Sequence, residues 1–275
     1  MKNLLVLLLC ICTVSFAQIG RFKMEMVPGK MIKEYTPEYM GLKRDLPDGY
    51  TENMRATLAQ AAAIKLDAST QTKASANIIL TYETVPPADV KAVFEKAAAT
   101  WSTVFSSDVP INVYVKWASL ATNVLGSAGA TMNVRNFVGA NRLNTFYPIA
   151  LAEKMAHKNL NGTNADILAT FNSDFTAWYI GTDGMPTINQ IDLYSVVLHE
   201  MGHGLGFIGQ VSVDTGEAGY SYPGIFDQYM INAANLSLMD TTSFKNPSAA
   251  LYTQLTSGKI NLSSPSILRN KDRKS

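Results

Sequence analysis

The strongest hydrophobic period in the chain runs from Val90 to Phe105. Val90, Val93, Phe94, Ala97, Ala98, Trp101, Val104 and Phe105 recur at the i, i+3, i+4, i+7 spacing, which predicts a helix laying one broad face on a sheet. Pro86-Pro87 opens it. The β-rich run Ile78-Ile79-Leu80-Thr81-Tyr82 precedes this helix, and after it Ile111 to Trp117 alternates as a half-buried strand does. Strand, helix and strand in that order predict a crossover unit. Further on, Gly126 to Ala130 is rich in Gly, Ala and Ser and reads as loop, while Tyr147 to Lys158 reads as a second, shorter helix. Ala165 to Phe171 and Thr176 to Ile180 read as extended, with a turn at Gly181-Thr182-Asp183-Gly184.

Thr187 and Gln190 stand at the spacing of a capping box behind Pro186, so a further helix is expected to begin there. Ile188, Ile191, Tyr194, Ser195, Leu198 and Leu205 make one apolar stripe along it, and Val196 with two histidines makes another, which predicts an interior helix covered on two sides. On this helix the chain reads His199-Glu200-Met201-Gly202-His203. Residues four apart lie one above the other, so both imidazoles point the same way and can bind one Zn²⁺. Glu200 projects about 100° away by the helical period. It flanks a metal without ligating it, which suits a base that takes a proton from water activated there. Two core histidines and a stray glutamate are the alternative. Against that, two of the three histidines in the chain fall at ligand spacing, and an interior carboxylate is costly without a role. The remaining histidine, His157 beside Lys158, reads as a solvated helix residue.

Composition narrows the partners. The chain has 275 residues, room for one large domain or two small ones, with 47% apolar and 16% charged residues. Net charge is +1, so no basic field exists to hold a phosphate backbone, and nucleic acid is not an expected partner. Lys2, the apolar run Leu4 to Val14 and the small residues Ser15 and Ala17 have the order of a secretory signal peptide cleaved after Ala17. No stretch reaches the roughly 20 apolar residues of a membrane span. Both cysteines, Cys10 and Cys12, lie in the removed segment, which excludes disulfides, thiol nucleophiles and Cys-ligated zinc from the mature chain. Residues 18–75 are mixed in texture, include a helix expected from Glu52 to Leu66, and read as an N-terminal extension or pro-segment.

The motif resembles that of zincin metallopeptidases of the metzincin type, His-Glu-x-x-His-x-x-Gly-x-x-His, through His199, Glu200, His203 and Gly206. Gly209 takes the place of the third histidine. The ending Gly204-Leu205-Gly206-Phe207 is instead similar to leishmanolysin-like peptidases and related secreted bacterial proteins, whose third ligand lies on a later segment. The similarity extends over Ile78–Tyr82, the Trp101 helix, Gly126-Ser127-Ala128-Gly129, Tyr147 to Lys154, Asp166 to Ser173, Trp178 to Gly184 and Phe226-Asp227, roughly Ile78 to the C-terminus. It implies an extended peptide substrate pairing with Ile167–Phe171 as an edge strand.

No histidine follows His203, and the polar end Arg269 to Ser275 closes no element, so the catalytic domain is expected to be incomplete at its C-terminus. Catalytic zinc usually has three protein ligands. Asp214, Glu217, Asp227 and Asp240 are the nearby carboxylates. Asp227 is the first candidate, against the alternative that it satisfies loop backbone amides.

The expectation is an α/β chain of α+β zincin type, with a mixed twisted sheet, a crossover helix, the motif helix and a short C-terminal subdomain. Its segments are a signal peptide at 1–17, an extension or pro-segment at 18–75 and a zincin-like catalytic domain at 76–275. The expected activity is that of a secreted zinc endopeptidase with His199 and His203 as ligands and Glu200 as general base. The rivals are a zincin-like binding module lacking the third ligand and a structural-zinc domain, the latter disfavoured by Glu200.

Overall fold

The computed structural model describes residues 24–35 and 75–263. The expected signal peptide, the Glu52–Leu66 helix and the polar end from Arg269 lie outside them. In chain order the strands are β1 (Glu25–Pro28), β2 (Ile32–Tyr35), β3 (Ile78–Tyr82), β4 (Ile111–Ala118), β5 (Val124–Ala130), β6 (Met132–Arg135) and β7 (Tyr147–Pro148). There follow β8 (Ile167–Asn172), β9 (Trp178–Tyr179), β10 (Ile191–Asp192), β11 (Ser212–Asp214), β12 (Glu217–Gly219), β13 (Met230–Ile231) and β14 (Asn261–Leu262). The α-helices among the described residues are α1 (Ala88–Val104), α2 (Ile149–Ala156), α3 (Leu193–Leu205) and α4 (Ala249–Leu255). The fold class is mixed α/β with several sheets. Among the described residues no helix is long and apolar enough to cross a membrane.

These elements fall into two compact units, each assembled from separate stretches of chain. One unit holds residues 31–35, 75–131 and 157–205, and is built on a five-stranded sheet of order β2-β5-β8-β4-β3. The crossover predicted from the sequence is present: β3 and β4 pair in parallel, Ile78 opposite Ile111, and α1 connects them. Val90, Val93, Phe94, Ala97 and Ala98 are the buried face of α1, as the period requires. Phe94 sits among rings, its centroid 5.0 Å from Phe171, 6.1 Å from Trp117 and 6.3 Å from Tyr82. The Tyr82 hydroxyl is pushed up to about 12 by its burial and, secondarily, by the charge of Glu95.

Two expectations fail here. Gly126 to Ala130 is not loop but part of β5, paired antiparallel to β8 on one side and to β2 on the other. Small residues have low strand propensity, but tertiary context overrides it: a Cβ on Gly126 would stand 3.0 Å from both the Phe171 ring and the Thr170 carbonyl oxygen. β8, expected as the edge, lies between β5 and β4. The edges of the sheet are β2 and β3, because a strand from the N-terminal stretch covers β5.

The other unit holds residues 24–30, 132–156 and 206–263 among those described. Its sheet β1-β6-β7 leads into α2, and Tyr147, almost wholly buried, accepts a hydrogen bond at its Oη from Arg142 N and packs edge-on against Phe137. The C-terminal portion has a core of its own, Val211, Ala218, Met230, Leu238, Phe244 and Leu251. Ser248 caps α4, its hydroxyl accepting from Leu251 N at 3.0 Å. His157 follows α2 rather than lying in it, with φ +52, and its exposed Nδ1 is 2.8 Å from Asp108 Oδ2.

Candidate metal centre

The motif helix starts later than its sequence suggests. Thr187 and Gln190 do interact, Gln190 Oε1 accepting from Thr187 N and Oγ1, but the chain there is a turn and then β10. The functioning cap is Asp192, whose Oδ2 accepts from Ser195 N at 3.1 Å and from Ser195 Oγ at 2.5 Å. The expected stripe shifts with the start. Ile188 is 81% exposed, and the buried positions of α3 are Leu193, Val196, Val197, Glu200, Met201, Gly202, Gly204 and Leu205.

Apart from Gly202, these positions recur at the helical spacing, so Glu200 stands in the middle of the face that α3 turns to the protein. Its residue exposure is 0%, and both carboxylate oxygens are closed off from solvent. His199 is exposed and His203 half-buried. Their Nε2 atoms are 2.9 Å apart, one donating and the other accepting, with the rings edge-to-face and their centroids 4.5 Å apart. Both nitrogens therefore reach one point in space. That is what chelation of a single cation by two imidazoles requires, so this pair suits a metal as far as two ligands go.

The surroundings fix the helix closely. Trp101 Nε1 donates to the Leu198 carbonyl at 3.1 Å, and the hydroxyls of Thr100 and Tyr194 are 2.7 Å apart, which ties α3 to α1. Gly204 lies against β8: a Cβ there would come within 2.4 Å of Ile167 Cγ2. Gly206 takes φ +121, a backbone conformation that ends the helix and that a side chain would strain. Sequence reasoning missed the parts that Asp192, Thr100 and Ile167 play in holding this helix. The first was findable, since an Asp directly before the apolar Leu193 is an N-cap signal of its own. The other two are tertiary contacts with no local signature.

The carboxylates named as third-ligand candidates all lie in the other unit. Asp227 is buried and accepts backbone hydrogen bonds at Oδ2 from Gln210 N at 2.8 Å and Gly224 N at 2.7 Å. It holds loop amides, as its alternative reading described. Its other oxygen, Oδ1, is buried without a hydrogen-bond partner, and burial pushes the carboxyl above the ordinary carboxylate range despite those amides. Gly209, standing where a metzincin would carry histidine, is what lets Asp227 approach: a Cβ there would be 2.5 Å from Oδ1. Asp240 closes a turn, with Thr242 N and the Thr242 and Ser243 hydroxyls donating to it, and these bonds hold it below the usual range. Asp214 and Glu217 face each other across the β11–β12 hairpin, both exposed, with Asp214 Oδ1 accepting from Thr215 N. Among the described residues no group of three or more His, Cys, Asp or Glu is placed to hold a metal ion.

A family model described as SPBPB7E8-like matches residues 44–245, well over half of the chain. No curated protein and no solved structure matches it.

Proposed function

The chain belongs to the SPBPB7E8-like family, and we propose that it is a secreted zinc-dependent endopeptidase of zincin type. One observation carries this reading: two imidazoles on one turn of a helix bring their Nε2 atoms to 2.9 Å, on a helix whose buried face carries a glutamate beside the first of them. His199 and His203 would hold the metal through those nitrogens. A bound zinc supplies Lewis acidity, lowering the pKa of a nearby water and polarising a carbonyl. Glu200 would be the group that accepts a proton from such a water at its carboxylate and passes it to the leaving amine. Asp192, Trp101 and Thr100 hold the helix that carries all three, so the histidine pair and Glu200 move as one body. The substrate is a peptide in extended conformation. Secretion belongs to the same proposal and rests on the order of residues from Lys2 to Ala17.

A second reading, a zincin-like module that binds without hydrolysis, is favoured by the closure of both Glu200 oxygens from solvent. Elemental analysis together with cleavage of unfolded casein separates the two. The peptidase reading expects about one zinc per chain and hydrolysis that a chelator abolishes and zinc restores. Stoichiometric zinc with no cleavage selects the binding module, and no zinc at all defeats both.

A further inference from the structure

The two edges of the five-stranded sheet are built differently. β2 reads Ile-Lys-Glu-Tyr, and its register slips between Glu34 and Tyr35. Charges and irregular pairing are the usual means by which an edge strand is kept from joining another sheet. β3 reads Ile-Ile-Leu-Thr-Tyr, without charge or proline and in unbroken parallel register with β4. Its bonds to β4 fall on the odd positions, since Asn77 O accepts from Ile111 N and Glu83 N donates to Val115 O. In a parallel ladder the intervening residues turn both backbone groups the other way, so Ile78, Leu80 and Tyr82 present their N–H and C=O outward. Among the described residues no strand pairs with that side of β3.

Beside this edge a groove of about 890 Å³ runs between β3 and α1, and Ile78, Leu80 and Tyr82 line it from the strand. Along α1 the lining changes in order, with Lys91 and Glu95 at one end, Ala98 and Ala99 in the middle, and Ser102 and Thr103 at the other. Lys91 and Glu95 pair with each other at 2.5 Å, so the groove carries no net charge. At the strand's far end, Tyr82 Oη is closed off from solvent and makes no hydrogen bond among the described residues.

We propose that β3 is a self-association edge, at which a second copy of this chain adds its own β3 antiparallel about a two-fold axis at Leu80. A two-fold contact has to be its own complement. Three outward residues centred on Leu80 meet that condition: Leu80 stands opposite Leu80 and Ile78 opposite Tyr82, each pair exchanging both backbone bonds. No like charges meet along the strand. Reversal of direction sets the Lys91–Glu95 end of one α1 beside the hydroxyl end of the other, and the alanines face one another near the axis, where small side chains leave room. Ser102 and Thr103 of the second copy then come to the end of the groove at which Tyr82 Oη lacks a partner. A foreign peptide would have to bring this pattern, whereas a second copy already carries it. The contact lies within one unit and does not depend on the peptidase reading.

The experiment uses the full chain. Sedimentation equilibrium is expected to give a dimer that dissociates on dilution. Hydrogen–deuterium exchange at the amides of Ile78, Leu80 and Tyr82 is expected to speed up at least about tenfold as the dimer dissociates, while Ile79 and Thr81, bonded to β4, stay slow. Leu80→Lys sets two like charges against each other at the axis and should raise the dissociation constant at least about tenfold. Ile78→Pro removes an outward N–H that β4 does not use, at the first residue of the strand, where proline is tolerated. It should have the same effect, and it stands in if Leu80→Lys does not fold. Ile188→Lys, at an apolar residue 81% exposed elsewhere in the unit, should leave the mass unchanged. A monomer at every concentration overturns the proposal. So does a dimer that neither β3 variant weakens, or one that Ile188→Lys weakens equally. Slow exchange at Ile78, Leu80 and Tyr82 that dilution does not change means that the edge is covered from within the same chain, and overturns it as well.

Discussion

Helices α1 and α3 pack in the same unit, against one another and against one sheet, yet they spend their buried positions differently. Those of α1 are Val90, Val93, Phe94, Ala97 and Ala98, all apolar. Those of α3 include Glu200, Gly202 and Gly204. A glycine in a helix interior costs about 1 kcal/mol relative to alanine, and a buried carboxylate costs more unless something compensates it. Close packing on β8 accounts for Gly204, where a Cβ would meet Ile167, but not for Glu200, and α1 packs in the same unit without burying a charged residue. The buried carboxylate stands beside His199, and that is the difference between the helices on which the proposed function rests.

The largest effect expected from breaking that contrast is on the metal. His199→Ala or His203→Ala is expected to lose stoichiometric zinc entirely, since each removes one of the two converging nitrogens. Lys96→Ala on α1 should keep it. Elemental analysis of the purified variants decides, and full zinc in either histidine variant removes the metal site.

Next comes the carboxylate. Glu200→Gln keeps size and burial but cannot accept a proton, so hydrolysis should fall by about 10²- to 10⁴-fold, the range of general-base contributions, with zinc content unchanged. Glu95→Gln, on the exposed side of α1, should cleave at the parental rate. Equal rates for all three proteins would show that Glu200 is no base.

The packing difference between the helices is smaller and opposite in sense. Phe94→Ala empties a site surrounded by three rings and should cost about 3–5 kcal/mol. Gly204→Ala overfills one and should cost about 1–3 kcal/mol, because Ile167 Cγ2 would lie 2.4 Å from the new methyl group. Urea unfolding measures both. In an Ile167→Ala background the Gly204→Ala cost should shrink, and a cost that stays the same would place the strain elsewhere.

What could be read from sequence divides along the same line. The period of α1 and the strands around it were legible because apolar burial leaves a pattern. On α3 the histidine spacing was legible, but the stripe was not, because a glutamate and glycines occupy positions where a pattern search looks for apolar residues. β5 was hidden for a related reason: Gly126 is there to let Phe171 approach, a requirement set by a residue 45 positions away. The central place of β8 depends on β2 pairing with β5, and no local signal in residues 32–35 announces that partner.

Asp227 sharpens the comparison from outside the helices. Its raised carboxyl pKa means that its contribution to stability is fully present below about 3.8 and is lost as pH rises through the higher native value. Asp227→Asn keeps an acceptor for Gln210 N and Gly224 N without the buried charge. The melting temperature of the variant relative to the parent should therefore rise as pH is taken upward from about 4, with zinc content unaffected. Loss of zinc in Asp227→Asn would instead make it a ligand.

The smallest effect concerns how each helix begins. α1 starts after Pro87, an N-cap residue in non-helical conformation whose side chain makes no cap hydrogen bond. α3 starts with a carboxylate, Asp192, holding Ser195 N and Oγ. Asp192→Ala should cost about 1 kcal/mol, the usual worth of an N-cap. Thr187→Ala removes only a turn contact with Gln190 and should cost a few tenths at most. The ordering matters more than the sizes, since a capping box at Thr187 would reverse it. It also reaches the site: Asp192 sits seven residues before His199, two turns of helix, so fraying at the start loosens the frame on which the two imidazoles meet. Asp192→Ala should then weaken zinc slightly, while Thr187→Ala leaves it alone. A urea midpoint lower for Thr187→Ala than for Asp192→Ala would move the start of the helix back to where the sequence first suggested it.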